Sequence, residues 1–174
     1  MSEDLIMGRN TVLEALRSKR DIHKIWVAEG ATKGQIQQVI AVAKENKIMI
    51  QTAPKKKLDQ MVEGNHQGVI AQVAAYQYAE IDDIFKLAES RKEDPFILLL
   101  DELEDPHNLG SILRTADASG VHGVIIPKRR AVGLTATVAK SSTGAIEHIP
   151  VARVTNLSRT IEELKERGVW IAGT

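Results

Sequence analysis

The apolar run FILLL at residues 96–100 constrains the fold of this chain more than any other feature. A strand with no alternating polar positions is typical of a central strand of a parallel sheet whose two faces are both covered by helices. Helical and strand patterns then alternate: helices are predicted at 109–119, near 134–140 and at 157–167, and strands at 121–126, near 148–151 and at 169–172. This order predicts a doubly wound α/β unit that binds its ligand beyond the carboxyl ends of the strands.

A second alternating pattern lies earlier in the chain. It consists of a helix over 12–16, a strand over 23–28, a helix over 36–43, a strand over 47–50, a helix near 54–61 and a strand over 68–75. Residues 76–94 carry apolar positions on one helical face and end before Pro95, which predicts a linker helix. The predicted organisation is therefore a small domain over 1–75, a linker over 76–94 and a second domain over 95–174.

Composition excludes several classes of protein. The 23 basic and 23 acidic residues cancel, so the chain does not coat nucleic acid through bulk charge, and any RNA contact must be local. The absence of cysteine excludes thiol chemistry, and five scattered histidines without ligand spacing predict no metal site. No apolar run approaches the roughly 20 residues that cross a bilayer, so we expect a soluble, cytoplasmic protein without a membrane segment.

The segment DELEDPHNLGSILRTADASG, residues 101–120, carries the chemical signal. Asn108 is predicted as the N-cap of a helix with one apolar face, and Arg114 points away from that face. Gly110 weakens a helix by roughly 0.5–1 kcal/mol, which predicts close approach of another backbone or of a ligand. The alternative is that Asn108 is only a cap and Arg114 only a solvated residue.

Four stretches resemble the SpoU branch of the SPOUT methyltransferases. DPHNLGSILRTADASG is similar to the first motif of the family, and LTATVAKSSTGAIEHIPV, residues 134–151, to its next segment. MGRNTVLEAL, residues 7–16, and NHQGVIAQV, residues 65–73, resemble the small ribosomal-protein-like domain that binds substrate in many SpoU enzymes. The resemblance implies an S-adenosylmethionine-dependent RNA 2′-O-ribose methyltransferase.

For individual residues, the resemblance implies that Arg114 is the catalytic arginine and that Asn108 shapes the same pocket. Glu147 falls at a family-typical acidic position, and the alternatives for it are a direct catalytic role, a surface carboxylate, or a partner that organises a nearby Lys or Arg. An arginine that stays charged is an unusual base. Arg114 either removes the 2′-hydroxyl proton with help from a substrate phosphate, or clamps that phosphate and stabilises the developing alkoxide while water or a carboxylate takes the proton.

The resemblance also implies where RNA binds. The candidates in the first domain are Arg9, the cluster Lys55, Lys56 and Lys57, and the pair His66 and Gln67. Arg9 could instead cap the first helix, and His66 and Gln67 could shape the turn before the last strand. A front domain of this kind favours a guanosine of large-subunit ribosomal RNA as the target over transfer RNA, and family members are typically homodimers.

The resemblance further implies that the main cofactor motifs, a Gly-rich loop and a segment folded through a trefoil knot, come after residue 174. Gly173 and Thr174 are then contacts at the margin of the cofactor site, and we expect the 174-residue chain alone neither to bind the cofactor nor to methylate RNA. A non-catalytic RNA-binding adaptor on the same scaffold is the alternative from another class. An unrelated nucleotide-binding enzyme is disfavoured because the Gly-rich fingerprints are missing.

Overall fold

The computed structural model describes residues 5–31 and 33–174. These residues form two compact units, which divide between Ala75 and Tyr76. The first unit contains a four-stranded sheet and the second a three-stranded one. Helices alternate with strands along both units. The predicted α/β class is therefore confirmed.

The first unit is a mixed sheet with helices on its faces. Its elements are β1 (Leu5–Met7), α1 (Arg9–Arg17), β2 (Ile22–Ala28), α2 (Gln35–Glu45), β3 (Met49–Ala53), α3 (Lys55–Met61) and β4 (Val69–Val73). The strand order is β1-β4-β2-β3, with β2 and β3 parallel and β4 antiparallel to both β1 and β2. Side chains of α1 and α2, among them Val12 and Ile36, bury one face of the sheet, and Leu58 of α3 packs with the other.

The second unit is a parallel sheet covered on both faces. Its elements are α4 (Ile81–Arg91), β5 (Ile97–Leu99), α5 (Pro106–Ala118), β6 (Gly123–Pro127), α6 (Ala136–Ser141), a 3₁₀ helix (Ala145–Glu147), β7 (Val151–Val154) and α7 (Leu157–Glu166). The strands lie in the order β5-β6-β7, so within the described sheet the central strand is β6, and β5, predicted as central, is at one side. Helices α5 and α6 and the 3₁₀ helix share one core cluster, whereas α4 and α7 share another. Helices on both faces confirm the doubly wound prediction.

The structure groups residues 76–94, predicted as a linker, with the second unit. Ile84 of α4 is fully buried, and a Cβ added to Gly123 of β6 would lie 2.7 Å from its Cγ2 atom. The apolar face that identified the helix is therefore used to cover the sheet. A segment with such a face is stabilised by burying it, which a helix exposed between domains could not do.

The strand predicted over 169–172 does not form in the described chain, and this prediction is wrong. Val169 packs against the core of the α4 face, but Trp170 is 98% exposed. A strand requires a hydrogen-bonding neighbour as well as β-forming residues, and none of the described strands pairs with this segment. Among residues 5–31 and 33–174, no helix has the length and hydrophobicity that a transmembrane span requires.

Candidate functional site

Helix α5 begins three residues earlier than predicted. The Asp105 carboxylate caps it by accepting the N–H of His107 at 2.8 Å, and Pro106 occupies the first helical position. The prediction that Asn108 is the N-cap is therefore wrong. Aspartate caps as well as asparagine does, and proline suits the first turn because its missing N–H would have no helical partner there. Asn108 lies in the first turn with an exposed side chain.

Gly110 marks the contact between α5 and α6. A Cβ atom added to Gly110 would lie 2.7 Å from the Ser141 Cβ and 2.9 Å from the Ser141 carbonyl carbon. The Ser141 hydroxyl also donates to the carbonyl of Pro106 at 3.2 Å. The predicted close approach at Gly110 is confirmed, and the approaching group is the end of a neighbouring helix. This contact fixes where α6 lies along α5.

Arg114 is exposed on the side of α5 that faces away from the core. Leu109 and Leu113 are buried, whereas Ser111 and Arg114 are exposed, as the helical spacing predicts. Among the described residues, Arg114 has no ion pair or side-chain hydrogen bond. Asn108 lies about 120° around the helix from Arg114 and about 9 Å along its axis. A ligand that contacts both side chains must therefore extend along α5.

Glu147 ends the 3₁₀ helix that packs against α5. The chain reaches this position through two successive left-handed residues, Thr143 and Gly144, with φ angles of 48° and 92°. The Glu147 side chain is exposed, and its Oε1 atom accepts the Tyr76 hydroxyl at a long 3.4 Å. Within residues 5–31 and 33–174 it pairs with no lysine or arginine, so the ion-pair alternative for Glu147 is not realised there.

The first-unit candidates lie at one edge of their sheet. We call this the polar edge, where β1, β2 and β3 end and β4 begins. Arg9 follows β1, the three lysines at 55–57 follow β3, and Gln67 precedes β4 by two residues. Since β4 runs antiparallel to β1 and β2, these separate stretches of sequence leave the sheet on the same side.

Arg9 and Gln67 form two hydrogen bonds with each other at the polar edge. The Gln67 Oε1 atom accepts the backbone N–H of Arg9 at 3.1 Å, and the Arg9 Nε donates to the Gln67 carbonyl at 3.0 Å. Asn10, the residue after Arg9, accepts a hydrogen bond at its Oδ1 from the Gln35 side-chain amide at 2.9 Å. This bond joins the first turns of α1 and α2. Gln35 was not among the predicted site residues, because nothing local distinguishes it from a solvated helix residue.

His66 is not available for RNA in this arrangement. It is only 3% exposed, its Nδ1 accepts the N–H of Gly68 at 2.9 Å, and its Nε2 lies 2.8 Å from Asp59 Oδ1. The assignment of His66 as an RNA contact therefore requires correction. The ring shapes the turn into β4, which was the alternative interpretation, because both of its nitrogens are already engaged.

Gly173 and Thr174 lie in an exposed, irregular segment after α7. A Cβ built on Gly173 would meet no atom within 4 Å, so these two residues form no enclosing wall for a cofactor. Gly173 and Thr174 alone therefore do not enclose a site for S-adenosylmethionine. No group of three or more metal-ligating side chains occurs in the described part of the chain.

Comparison with known proteins identifies the family. Residues 5–79 match the family described as RNA 2′-O ribose methyltransferase substrate binding, and residues 95–174 match the SpoU rRNA Methylase family. YacO of Bacillus subtilis (strain 168), named as a TrmH family tRNA/rRNA methyltransferase, is 68% identical over 98% of this chain and 69% of its own length. The chain belongs to the SpoU/TrmH family of RNA methyltransferases.

Other SpoU/TrmH proteins match over the same region. A TrmH family protein of Staphylococcus aureus (strain MSSA476) is 56% identical over 100% of this chain and 70% of its own length. The structure of the SpoU methyltransferase AviRb from Streptomyces viridochromogenes, in complex with the cofactor AdoMet, is 21% identical with a TM-score of 0.45. That match covers 94% of this chain, which spans 58% of the AviRb chain.

The cap of α5 gives a first prediction for this SpoU-family chain. Asp105→Ala removes the acceptor for the His107 N–H and should destabilise the second unit by about 1 kcal/mol. Calorimetry should show a melting temperature lowered by several degrees. Asn156→Ala is a matched control, because Asn156 caps α7 by accepting the N–H of Arg159 at 3.0 Å. If Asp105→Ala melted like the wild type while Asn156→Ala did not, the cap at Asp105 would be disproved.

Proposed function

We propose that the protein containing this chain is an S-adenosylmethionine-dependent RNA 2′-O-ribose methyltransferase that acts on a guanosine of large-subunit ribosomal RNA. The observation that carries the proposed reaction is the exposed guanidinium of Arg114, which has no partner among the described residues and lies on a helix held in place by the Gly110–Ser141 contact. Methylating a ribose hydroxyl requires alignment of a weak nucleophile and stabilisation of the charge that develops on its oxygen. Bound S-adenosylmethionine supplies the electrophilic methyl group.

Arg114 suits the role of a phosphate clamp. A guanidinium presents five N–H donors in a planar fork that matches two phosphate oxygens, and it retains its charge near neutral pH. Held in this way, the phosphate next to the target ribose fixes the 2′-hydroxyl for in-line attack. The same positive charge stabilises the developing alkoxide. Exposure to solvent favours this role over that of a base, because a solvated guanidinium has little tendency to lose a proton.

We further propose that Asn108 and Glu147 act at this site. Asn108 offers both a donor and an acceptor in the exposed first turn of α5. Glu147 offers a carboxylate on an element that packs against α5. With neither a lysine nor an arginine paired to it among the described residues, this carboxylate can accept a hydrogen bond or a proton from the substrate.

We propose that the polar edge of the first unit binds RNA. The three exposed lysines of α3 form no ion pair with any acidic residue of the described chain, and Arg9 keeps its two terminal guanidinium nitrogens for a ligand. Because the net charge of the chain is zero, RNA binding requires a local concentration of positive charge such as this one. Gln67 contributes by fixing the position of Arg9, and Gly173 and Thr174 remain proposed contacts at the margin of the cofactor site.

Methyl transfer from labelled S-adenosylmethionine by the full-length protein tests the function. Large-subunit ribosomal RNA and transfer RNA are offered separately, and the product nucleosides are identified by mass spectrometry. We expect 2′-O-methylguanosine in the ribosomal RNA. Label only in transfer RNA would overturn the proposed substrate, and label on a base would overturn the proposed reaction. We propose a homodimer, and a monomer mass in light scattering would contradict it.

Reversing the charge of the α3 lysines should weaken RNA binding. In a Lys55→Glu, Lys56→Glu, Lys57→Glu variant we expect a lower affinity for RNA. The slope of log K against log salt should become smaller in magnitude by about 2, because each phosphate contact contributes about 0.7–0.9 to that slope. Binding is measured by fluorescence anisotropy at several salt concentrations. The control reverses three other exposed cations of the same unit, Arg17, Arg20 and Lys44. Equal losses in both variants would show that the lysines act only through net charge.

A further inference from the structure

Residues 76–79 form a short strap along the edge of the second unit's sheet. The backbone N–H of Ala79 donates to the carbonyl of Val151 at 2.8 Å, and Ala79 pairs in parallel with Ala152 of β7. The strap contains both tyrosines of the chain, Tyr76 and Tyr78. Both are partly buried against the core cluster that α5, α6 and the 3₁₀ helix share.

Tyr78 makes the more specific contacts of the two. Its hydroxyl oxygen accepts the backbone N–H of Leu134 at 2.9 Å. The guanidinium carbon of Arg153, on β7, lies 4.4 Å from the centre of the Tyr78 ring, a cation–π contact. The ring is thus held from one side while its hydroxyl reaches residues 128–135, the connection between β6 and α6.

Leu134, which donates to Tyr78, lies just before α6. Helix α6 and the 3₁₀ helix after it pack against α5, the helix that carries Arg114. Leu134 is 2% exposed, and the next residue, Thr135, caps α6 by accepting the N–H of Val138 at 3.3 Å. Helix α6 ends at Ser141, which contacts Gly110 of α5. A displacement at Leu134 would therefore be transmitted through α6 to the surface that carries Arg114.

We infer that Tyr78 is a positioning residue for methyl transfer, which holds residues 134–151 in register with α5 through its hydroxyl. This inference rests on the proposed function. Tyr78 need not touch substrate. Loss of its hydroxyl leaves the N–H of a buried residue without its acceptor, so the connection must shift or admit water. Small displacements of groups that align a reaction lower its rate strongly, even when they arise away from the reacting atoms.

The test is Tyr78→Phe in the full-length protein, a change that keeps the ring and its cation–π contact. We expect kcat to fall about 10- to 100-fold, with KM for RNA nearly unchanged, since RNA binding is assigned to the first unit. Hydrogen exchange by mass spectrometry should show faster exchange in peptides covering 131–140. The exchange readout does not depend on catalysis.

Ile84→Val is the control for a general loss of stability. It removes one methylene group from the core on the opposite face of the sheet, where Ile84 is fully buried. We expect a lower melting temperature with kcat and the 131–140 exchange unchanged. A wild-type kcat in Tyr78→Phe, or an equal loss in Ile84→Val, would overturn the inference. If the wild type methylated no RNA, the proposed function would be wrong. Unchanged hydrogen exchange of residues 131–140 in Tyr78→Phe would separately show that the Tyr78 hydroxyl does not hold Leu134 in place.

Discussion

Replacing Arg114 with alanine should lower kcat/KM for methyl transfer by about 10²- to 10³-fold or more, the loss expected when one preorganised donor to a developing charge is removed. RNA binding by the first unit should remain largely intact, because the polar edge supplies most of the proposed binding contacts, whereas Arg114 supplies a single phosphate contact. The melting temperature should remain at its wild-type value, since Arg114 is exposed and has no partner among the described residues. Activity, anisotropy and calorimetry on the same preparation separate these effects.

Two further variants sharpen this prediction. Arg114→Lys keeps the charge but loses the planar fork, so we expect an activity between those of the alanine variant and the wild type. Arg91→Ala removes another exposed arginine from the last turn of a helix in the same unit and should behave as the wild type. Near-normal turnover by Arg114→Ala would refute the assignment of Arg114 as the phosphate clamp.

The second large effect is expected from Gly110→Ala. The added Cβ would lie within 3 Å of both the side chain and the backbone of Ser141, so α6 must move away from α5. Overpacking of this kind costs about 1–3 kcal/mol. We expect a melting temperature lowered by several degrees, measured by calorimetry, together with a large loss of methyl transfer because Arg114 and the α6 segment no longer keep their register.

A second-site change provides the control for Gly110→Ala. Adding Ser141→Gly removes the Oγ and Cβ atoms that the new methyl group would meet, but leaves the Ser141 carbonyl carbon in place. The double variant should therefore regain part of the lost stability, and the two changes should not be additive. Additive losses would show that the cost of Gly110→Ala arises from something other than contact with Ser141.

Much of the architecture could be predicted from local sequence signals. The apolar run at 96–100 and the periodicity of α5 depend on residues close together in sequence, and the structure confirmed the parallel sheet, the exposed side of α5 and the close approach at Gly110. Strand β1 was missed because three residues give no usable periodicity, and it is defined only by its pairing with β4.

Predictions from the sequence were wrong where two local signals compete, or where the partner of a residue lies far away in the sequence. Asn108 and Asp105 are both good caps, and the choice between them depends on which backbone N–H groups receive an acceptor. His66 has the sequence context of an exposed polar residue, yet its two nitrogens find Gly68 and Asp59 in the folded unit. The residues at 169–172 favour a strand, but no described strand pairs with them.

The sequence by itself determined the α/β class and the exposed side of α5 that carries Arg114, because helical and strand periodicity are properties of the chain, and its motifs sufficed to indicate the family. Only the tertiary structure decided that Arg9, Gln67 and the α3 lysines share one edge and that the Tyr78 hydroxyl meets the N–H of Leu134. Strand direction and hydrogen-bond pairing join residues far apart in sequence, and no local pattern encodes which distant group becomes the partner.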